Sequence, residues 1–583
     1  MSRERPSRPP VDRVVVAVAV VVLAALAARL IGLGARSFHW DEARVGYWTL
    51  RYAATGAFDY RPVAGGPFLY QVDRLVFALV GASDASARLV VAVLGGLVPA
   101  VAILYRDRLG AVGTVALATL LAADPLLVYY SRFLRGEVPL AAFSLVAVAA
   151  AVRATDADAS GDDRLVGRRP AVYLAVGAGA LALTTSGFVA VTLACWLVAA
   201  ALVVDHRRLL DAGPAREPAR TAADGAGGDA EGGRAAGRGL RLPSAGELRR
   251  RLRPGPLAGR ATLLAAAVLV WFYAPRAGGG PGPGLRKLGS LPATIDAALF
   301  GSVAKFYGVF VADRSGTGAT HELLPYVLDY LGTLGTVSTV LVALALAGFL
   351  LDRYRSAGPS PVVAFHAYWG FATVLFVPLA AEVRAPWLAV HAVAPLAVPA
   401  AVGAAALVRA GRRAWARADA GTVAAVGLLL VAGGGHVGAV AAGEVYAPPA
   451  ADSRIAHYAQ PPAGQVDALV ANATAAAAGN DGVDVLYHGG ALSTSFDAGR
   501  PPVPAAFAAR LPLAWYFERE GLRTASVATP EAVASTAPPV VVTVPGSSDA
   551  VRDALGRTGT AYRAHRYDLA LWDRTVVVFV ADG

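Results

Sequence analysis

Residues 14–44 read VVVAVAVVVLAALAARLIGLGARSFHWDEAR. The apolar run from Val14 to Leu33 is long enough to cross a bilayer as a helix. It shows no convincing cleavage site and reads as a retained span rather than a removed leader. Directly after it, Phe38-His39-Trp40-Asp41-Glu42-Ala43-Arg44 places two adjacent carboxylates where the chain leaves the membrane. Acids at that depth are costly unless water, a metal or a substrate meets them.

The rest of the chain has the same character. Of 583 residues, 56% are hydrophobic and only 16% are charged, against about 25% charged in a soluble protein. The formal net charge of +11 does not point to nucleic acid. The arginines gather in loops between apolar runs, and Lys287 and Lys305 are the only lysines. The single cysteine, Cys195, excludes an intramolecular disulfide and a thiolate metal cluster.

Eleven apolar runs are candidate spans, near 14–34, 86–104, 109–124, 138–153, 170–185, 188–204, 260–275, 331–351, 361–381, 389–408 and 420–442. With the N-terminus in the cytoplasm, the Arg-rich segments 3–13, 105–108, 153–169, 205–260, 352–355 and 409–417 fall on the inner side, as the positive-inside rule expects. Residues 211–253 lack apolar periodicity and are rich in Gly, Ala, Arg and Asp, which predicts a disordered cytoplasmic loop. After Glu444 the pattern changes to short β-type runs, Val483–Tyr487, Val540–Val544 and Thr575–Val580, between Ala-rich helical stretches. The expected fold is therefore mainly α: a polytopic membrane protein carrying a small extracytoplasmic α/β domain. Its expected parts are an N-terminal membrane module (1–204), a cytoplasmic loop (205–259), a second membrane module (260–443) and the α/β domain (444–583). Asn472-Ala473-Thr474 is an N-glycosylation sequon within that domain.

Three external segments concentrate polar side chains beside the membrane. The first carries Asp41, Glu42 and Arg44 and continues through Gly65-Gly66-Pro67-Phe68-Leu69-Tyr70. The second is Ser131-Arg132-Phe133-Leu134-Arg135-Gly136-Glu137, and the third is Glu382-Val383-Arg384-Ala385-Pro386-Trp387 with His391 one turn further on. Transfer of a sugar from a phosphate leaving group needs such a set. A carboxylate takes the acceptor proton, cations or a metal stabilise the departing phosphate, and aromatic rings stack on the sugar. Each residue also has a plainer role open to it. Arg132 and Arg135 suit lipid headgroups as well as a substrate phosphate. Glu137 opens a helix, where an acid is favourable for dipole reasons alone. Trp387 can be an interfacial belt residue, and His391 a structural histidine. Lys305, in the long loop 276–330, is a further phosphate-binding candidate.

At His39-Trp40-Asp41-Glu42-Ala43-Arg44, Gly66-Pro67-Phe68-Leu69, Ser131–Glu137 and Pro386–His391 the chain resembles the archaeal flippase-activity-associated family of N-glycosylation. That family is similar to the protein mannosyltransferase and aminoarabinose transferase superfamily, which has the membrane-embedded GT-C fold. The resemblance covers most of residues 10–445. It implies a polyprenyl-phosphate-linked sugar or oligosaccharide as partner, alongside membrane lipids and other glycosylation-pathway proteins. It implies Asp41 as base with Glu42 and Glu137 as further acids, and Arg132 and Arg135 facing the donor phosphate. Related sequences often place a histidine where this chain has Gly65, so the resemblance leaves a divalent ion at the acids open and makes no cofactor certain. Two rival classes stay in view: a flippase or flippase partner that binds lipid-linked glycan without cleaving it, and a structural subunit of a glycosylation complex.

Overall fold

The computed structural model describes residues 12–62, 65–156, 167–211, 255–277, 282–285, 287–312, 322–355, 358–381, 384–448, 453–456, 463–493, 505–568 and 575–582. The membrane part is built from α1 (Arg13–Leu30), α2 (Trp40–Thr55), α3 (Pro67–Val80), α4 (Asp84–Leu97), α5 (Arg106–Ala123), α6 (Pro125–Tyr130), α7 (Glu137–Asp156), α8 (Arg168–Ala182) and α9 (Val189–Asp211). It continues with α10 (Pro256–Tyr273), α11 (Leu323–Val337), α12 (Thr339–Arg353), α13 (Pro361–Ala380), α14 (Val390–Ala416) and α15 (Ala420–Val440).

Among the described residues eight helices are long and apolar enough to cross a membrane, nine if α11 and α12 form one bent span. The difference from eleven has three sources. α4 and α5 run on as one 40-residue helical stretch, although Gly110 at φ +67° breaks it within α5. α8 has only 15 residues. The expected straight span 331–351 is instead bent by 95° between α11 and α12. The predicted disordered loop lies, apart from Asp211, outside the described residues, as do Glu382 and Val383 of the third segment.

The stretch Pro386–Ala416, which contains α14, is the hub: 89% of its span is buried, and it packs on α5, α7, α12, α13 and α15. α15 buries only Val426 among its residues and turns Leu428, Leu429, Leu430 and Val431 outward, as a lipid-facing helix does. Cys195 is buried in this core.

Two motif glycines have a steric explanation. Gly66 donates its N–H to the Thr185 carbonyl at 2.8 Å and Phe68 donates to Thr184 at 2.9 Å. Any Cβ at Gly66 would meet the Thr184 oxygen at 2.1 Å, and one at Gly136 would meet the Thr185 oxygen at 2.2 Å. Both loops therefore close on the same turn between α8 and α9.

Two short strands of the membrane part, β1 (Ala57–Phe58) and β2 (Arg276–Ala277), pair antiparallel. The C-terminal domain is a five-stranded sheet in which β3 (Val485–His488), β4 (Thr524–Val527) and β5 (Val540–Thr543) are parallel and β6 (Tyr562–Asp568) and β7 (Thr575–Ala581) complete it antiparallel, in the order β4-β3-β5-β7-β6. The central strands are continuous apolar runs because both faces are covered. α16 (Ala463–Ala477) and α17 (Leu513–Arg519) cover one face, α18 (Pro530–Thr536) and α19 (Ser548–Gly556) the other. The sequon Asn472 sits on α16, not in a loop.

This domain docks on α2 and α4 through α17. Phe38 stacks on Trp515 with centroids 4.8 Å apart. Asp84 accepts from Trp515 Nε1 at 2.9 Å, Tyr516 Oη at 2.8 Å and Arg519 at 3.3 Å. Gly46 leaves room for the indole, since a Cβ there would lie 2.7 Å from Trp515 Cε3. Truncating a fully buried tryptophan costs about 3–5 kcal/mol. Trp515→Ala should therefore loosen the docked domain, with faster limited proteolysis between the two parts in detergent, whereas Arg552→Ala on the exposed face of α19 should not. Equal cleavage rates for wild type and Trp515→Ala would contradict the docking.

Candidate functional site

The site is organised by the start of α2. His39 is its N-cap: its Nδ1 accepts from the Asp41 N–H at 3.2 Å, and its own N–H reaches Glu42 Oε2 at 3.1 Å. This reciprocal cap fixes why the helix begins at Trp40 and places Asp41 and Glu42 in its first turn, where negative charge is favoured.

The two acids then separate in role. Glu42 is fully buried. Its Oε1 accepts from Arg88 Nε at 2.7 Å and from the Leu134 N–H at 2.9 Å, and its Oε2 accepts from Arg88 Nη2 at 2.7 Å. Arg88 spends its remaining donors on the carbonyls of Leu33, Arg36 and Ser37, at 3.1, 2.9 and 3.2 Å. Every lone-pair position of Glu42 is occupied, so this residue, expected as a catalytic acid, is instead a structural anchor. It ties α2 to α4 and to the Ser131–Glu137 loop.

One residue beyond that anchor, Arg135 bridges the other two acids. It pairs with Asp41 Oδ2 through Nη1 and with Glu137 through Nε and Nη2, each at 3.1 Å. Its guanidinium lies over the Trp387 ring, 4.1 Å from the centroid. Asp41 Oδ1 accepts from Arg44 at 3.0 Å. His391 is buried, stacked on Phe188 at 5.7 Å, and close enough to Glu137 to act on its charge. Its Nε2 has no hydrogen-bond partner. Tyr70, buried on α3, interacts electrostatically with Arg44; burial pushes its phenol above the ordinary range and keeps it neutral. Asp41, Arg44, Tyr70, Arg135, Glu137, Trp387 and His391, drawn from all three segments, thus form one constellation.

Three expected residues stand apart. Arg132 caps the end of α1, donating to the Ala28 and Gly32 carbonyls at 3.0 Å each beneath Tyr446. Helix C-termini favour such a cation, and it does not reach the acids. Lys305 is tied to Asp59 at 2.6 Å, and the exposed Arg384 pairs with Asp329 at 3.6 Å. Among the described residues no group of three or more His, Cys, Asp or Glu side chains is placed to hold a metal ion. Asp41 and Glu137 are bound to arginine instead, a donor set that does not fit a resident cation.

Sequence reasoning passed over Arg88. The signal was present: an arginine just inside the apolar run 86–104 is an intramembrane charge, which calls for a named partner.

Residues 466–581 match the family model described as the Agl23 flippase-associated protein C-terminal domain, and residues 64–211 match that of dolichyl-phosphate-mannose-protein mannosyltransferase. The crystal structure of ArnT from Cupriavidus metallidurans bound to undecaprenyl phosphate superposes with a TM-score of 0.55 at 15% identity, covering 96% of this chain and 97% of that one. The chain therefore joins an Agl23-type C-terminal domain to a membrane part with the GT-C-like fold. The apo oligosaccharyltransferase of Archaeoglobus fulgidus is also similar to this chain, with a TM-score of 0.50 at 14% identity over 98% of this chain and 76% of that one. No curated protein matches it.

Removing one partner of a buried ion pair costs about 3–5 kcal/mol. Arg88→Met should lower the thermal midpoint in detergent sharply, while Arg384→Met, at an exposed pair, should leave it within a degree or two. A midpoint unchanged in Arg88→Met would remove the anchor role.

Proposed function

We propose that this protein is an inverting glycosyltransferase that moves a sugar from a polyprenyl-phosphate carrier to a lipid-linked glycan or protein acceptor in a cell-surface glycosylation pathway. The observation that carries this reading is the bridge made by Arg135 between Asp41 and Glu137 beside Trp387. The fold is that of ArnT, whose structure holds undecaprenyl phosphate, and the chain spans the membrane several times.

Arg135 is the switchable member. A donor phosphate competes with the two carboxylates for its bidentate fork, because guanidinium and phosphate match in geometry as well as charge. Once Arg135 turns to the phosphate, Asp41 regains a free oxygen. The Asp41 carboxylate then accepts the proton of the acceptor hydroxyl as that oxygen bonds to the sugar C1. The C1–O bond to the phosphate breaks, its electron pair leaves with the phosphate oxygen, and Arg135 stabilises the added charge. Configuration at C1 inverts because attack and departure occur on opposite faces. Glu137 holds Arg135 in register and, with His391 and Trp387, walls the site. Arg44 and Tyr70 orient Asp41. In this reading the N-terminus is cytoplasmic, and the C-terminal domain lies on the extracytoplasmic side with the acids.

One observation favours a second reading: the C-terminal family model is named for a flippase association. In that case the same cluster holds a lipid-linked glycan without cleaving it. Purified protein in proteoliposomes with a labelled polyprenyl-phosphate sugar separates the two. Asp41→Asn should lower transfer by about 10²–10⁴-fold while donor binding persists, and Arg135→Met should weaken donor binding. Full transfer by Asp41→Asn would end the enzymatic reading; translocation without transfer in wild type would establish the second.

A further inference from the structure

The docked C-terminal domain encloses a cavity of about 530 Å³ against α2, within the range of about 300–1,000 Å³ typical of ligand sites. Its walls are Tyr47, Trp48 and Arg51 from α2, and Arg510, Glu518 and Ser526 from the domain.

Arg510 is the informative member. It is 6% exposed, its Nε donates to the Leu492 carbonyl at 2.7 Å, its Nη2 pairs with Ser526 Oγ, and it lies over the Tyr487 ring with its centre 4.1 Å from the centroid. Among the described residues its Nη1 has no hydrogen-bond partner, and it is not among the atoms sealed from solvent. No carboxylate neutralises it among the described residues. By contrast Arg51 pairs with Glu518 at 3.2 Å. A guanidinium this buried and without a counter-ion is expensive, and an anionic group entering the cavity would offset that cost. Tyr47, Trp48 and Phe507 pack at 4.9–5.6 Å beside it, giving ring surface suited to a sugar.

The cavity and the acid cluster lie along the same helix, α2. Asp41, Arg44, Trp48 and Arg51 are spaced three, four and three residues apart on α2, which puts them on one helical face. Ten residues along that face cover about 15 Å, a span that suits an extended chain of sugars rather than a single one.

We propose that this cavity binds a negatively charged sugar residue of the acceptor glycan, through Arg510 and the Tyr47–Trp48 surface, while the chain's reactive hydroxyl lies at Asp41. The proposal rests on the transferase reading for its acceptor, and its binding step is measured separately from transfer.

The test uses full-length protein in nanodiscs, titrated calorimetrically with a hexuronic-acid oligosaccharide, its uncharged reduced counterpart, and inorganic phosphate. The charged oligosaccharide should bind about tenfold or more tighter than the uncharged one, as expected for one charge-assisted contact. Arg510→Gln should abolish that preference. Glu518→Gln, which removes the carboxylate that would repel an anion from the cavity, should raise affinity several-fold, a gain that misfolding cannot produce. Arg552→Gln, on the exposed face of α19, should leave binding unchanged. Equal binding of both oligosaccharides, indifference to both cavity variants, or phosphate binding as tight as the charged glycan would each overturn the proposal. If the glycan binds as expected and Asp41→Asn still transfers sugar, the transferase assignment of Asp41 fails and the cavity stands. If wild type transfers, Asp41→Asn does not, and charge makes no difference to binding, the cavity fails alone.

Discussion

Arg88 enters the protein with no exposed surface, and all five of its N–H groups find acceptors: two on Glu42 and three on the carbonyls that end the first span. A charge pair at that depth persists only when fully hydrogen-bonded. The consequence is positional. Glu42 cannot shift without stranding Arg88, the Leu134 N–H cannot shift without stranding Glu42, and Arg135 follows Leu134 directly. The meeting of Arg135 with Asp41 and Glu137 is therefore set by an ion pair whose hold on the chain lies one residue away.

α4 extends the same logic to the second domain. Asp84 and Arg88 stand four residues apart on it, one helical turn. Arg88 holds the acid-bearing helix, and Asp84 holds Trp515, Tyr516 and Arg519 of the C-terminal domain. Phe38 sits between the two, stacked on Trp515 while the Arg88 guanidinium lies 4.8 Å above its ring. Membrane module, candidate site and soluble domain thus share one hub at the start of a single helix.

Much of this was legible in the chain. Apolar runs located the helices, since hydrophobic length is the property a bilayer selects. The runs around Val485, Val540 and Thr575 became strands β3, β5 and β7 because strands buried on both faces are apolar throughout. β4 and β6 escaped notice: Thr524–Val527 is mostly half-buried and Tyr562–Asp568 mostly exposed, and neither carries an apolar run. Within the site, proximity of the three polar segments followed from their common side of the membrane, and the structure does unite Asp41, Arg135, Glu137, Trp387 and His391. What charge pattern alone could not reveal was direction. Arg132 and Arg135 lie three residues apart, yet one caps a helix end and the other faces the acids. Asp41 and Glu42 are adjacent, yet helical geometry turns their side chains about 100° apart, so Glu42 meets Arg88 while Asp41 meets Arg135 and Arg44.

The fit of Trp515 over Gly46 has a bearing on how such proteins can be rebuilt. The indole occupies the space a side chain on the acid-bearing helix would need, and its N–H is satisfied from a third element. A chimera that grafts the soluble domain of a relative onto this membrane module would have to import position 46, Phe38 and Asp84 together with the graft. Recombination at the domain border alone would leave an uncovered aromatic groove on one parent and an orphaned indole on the other.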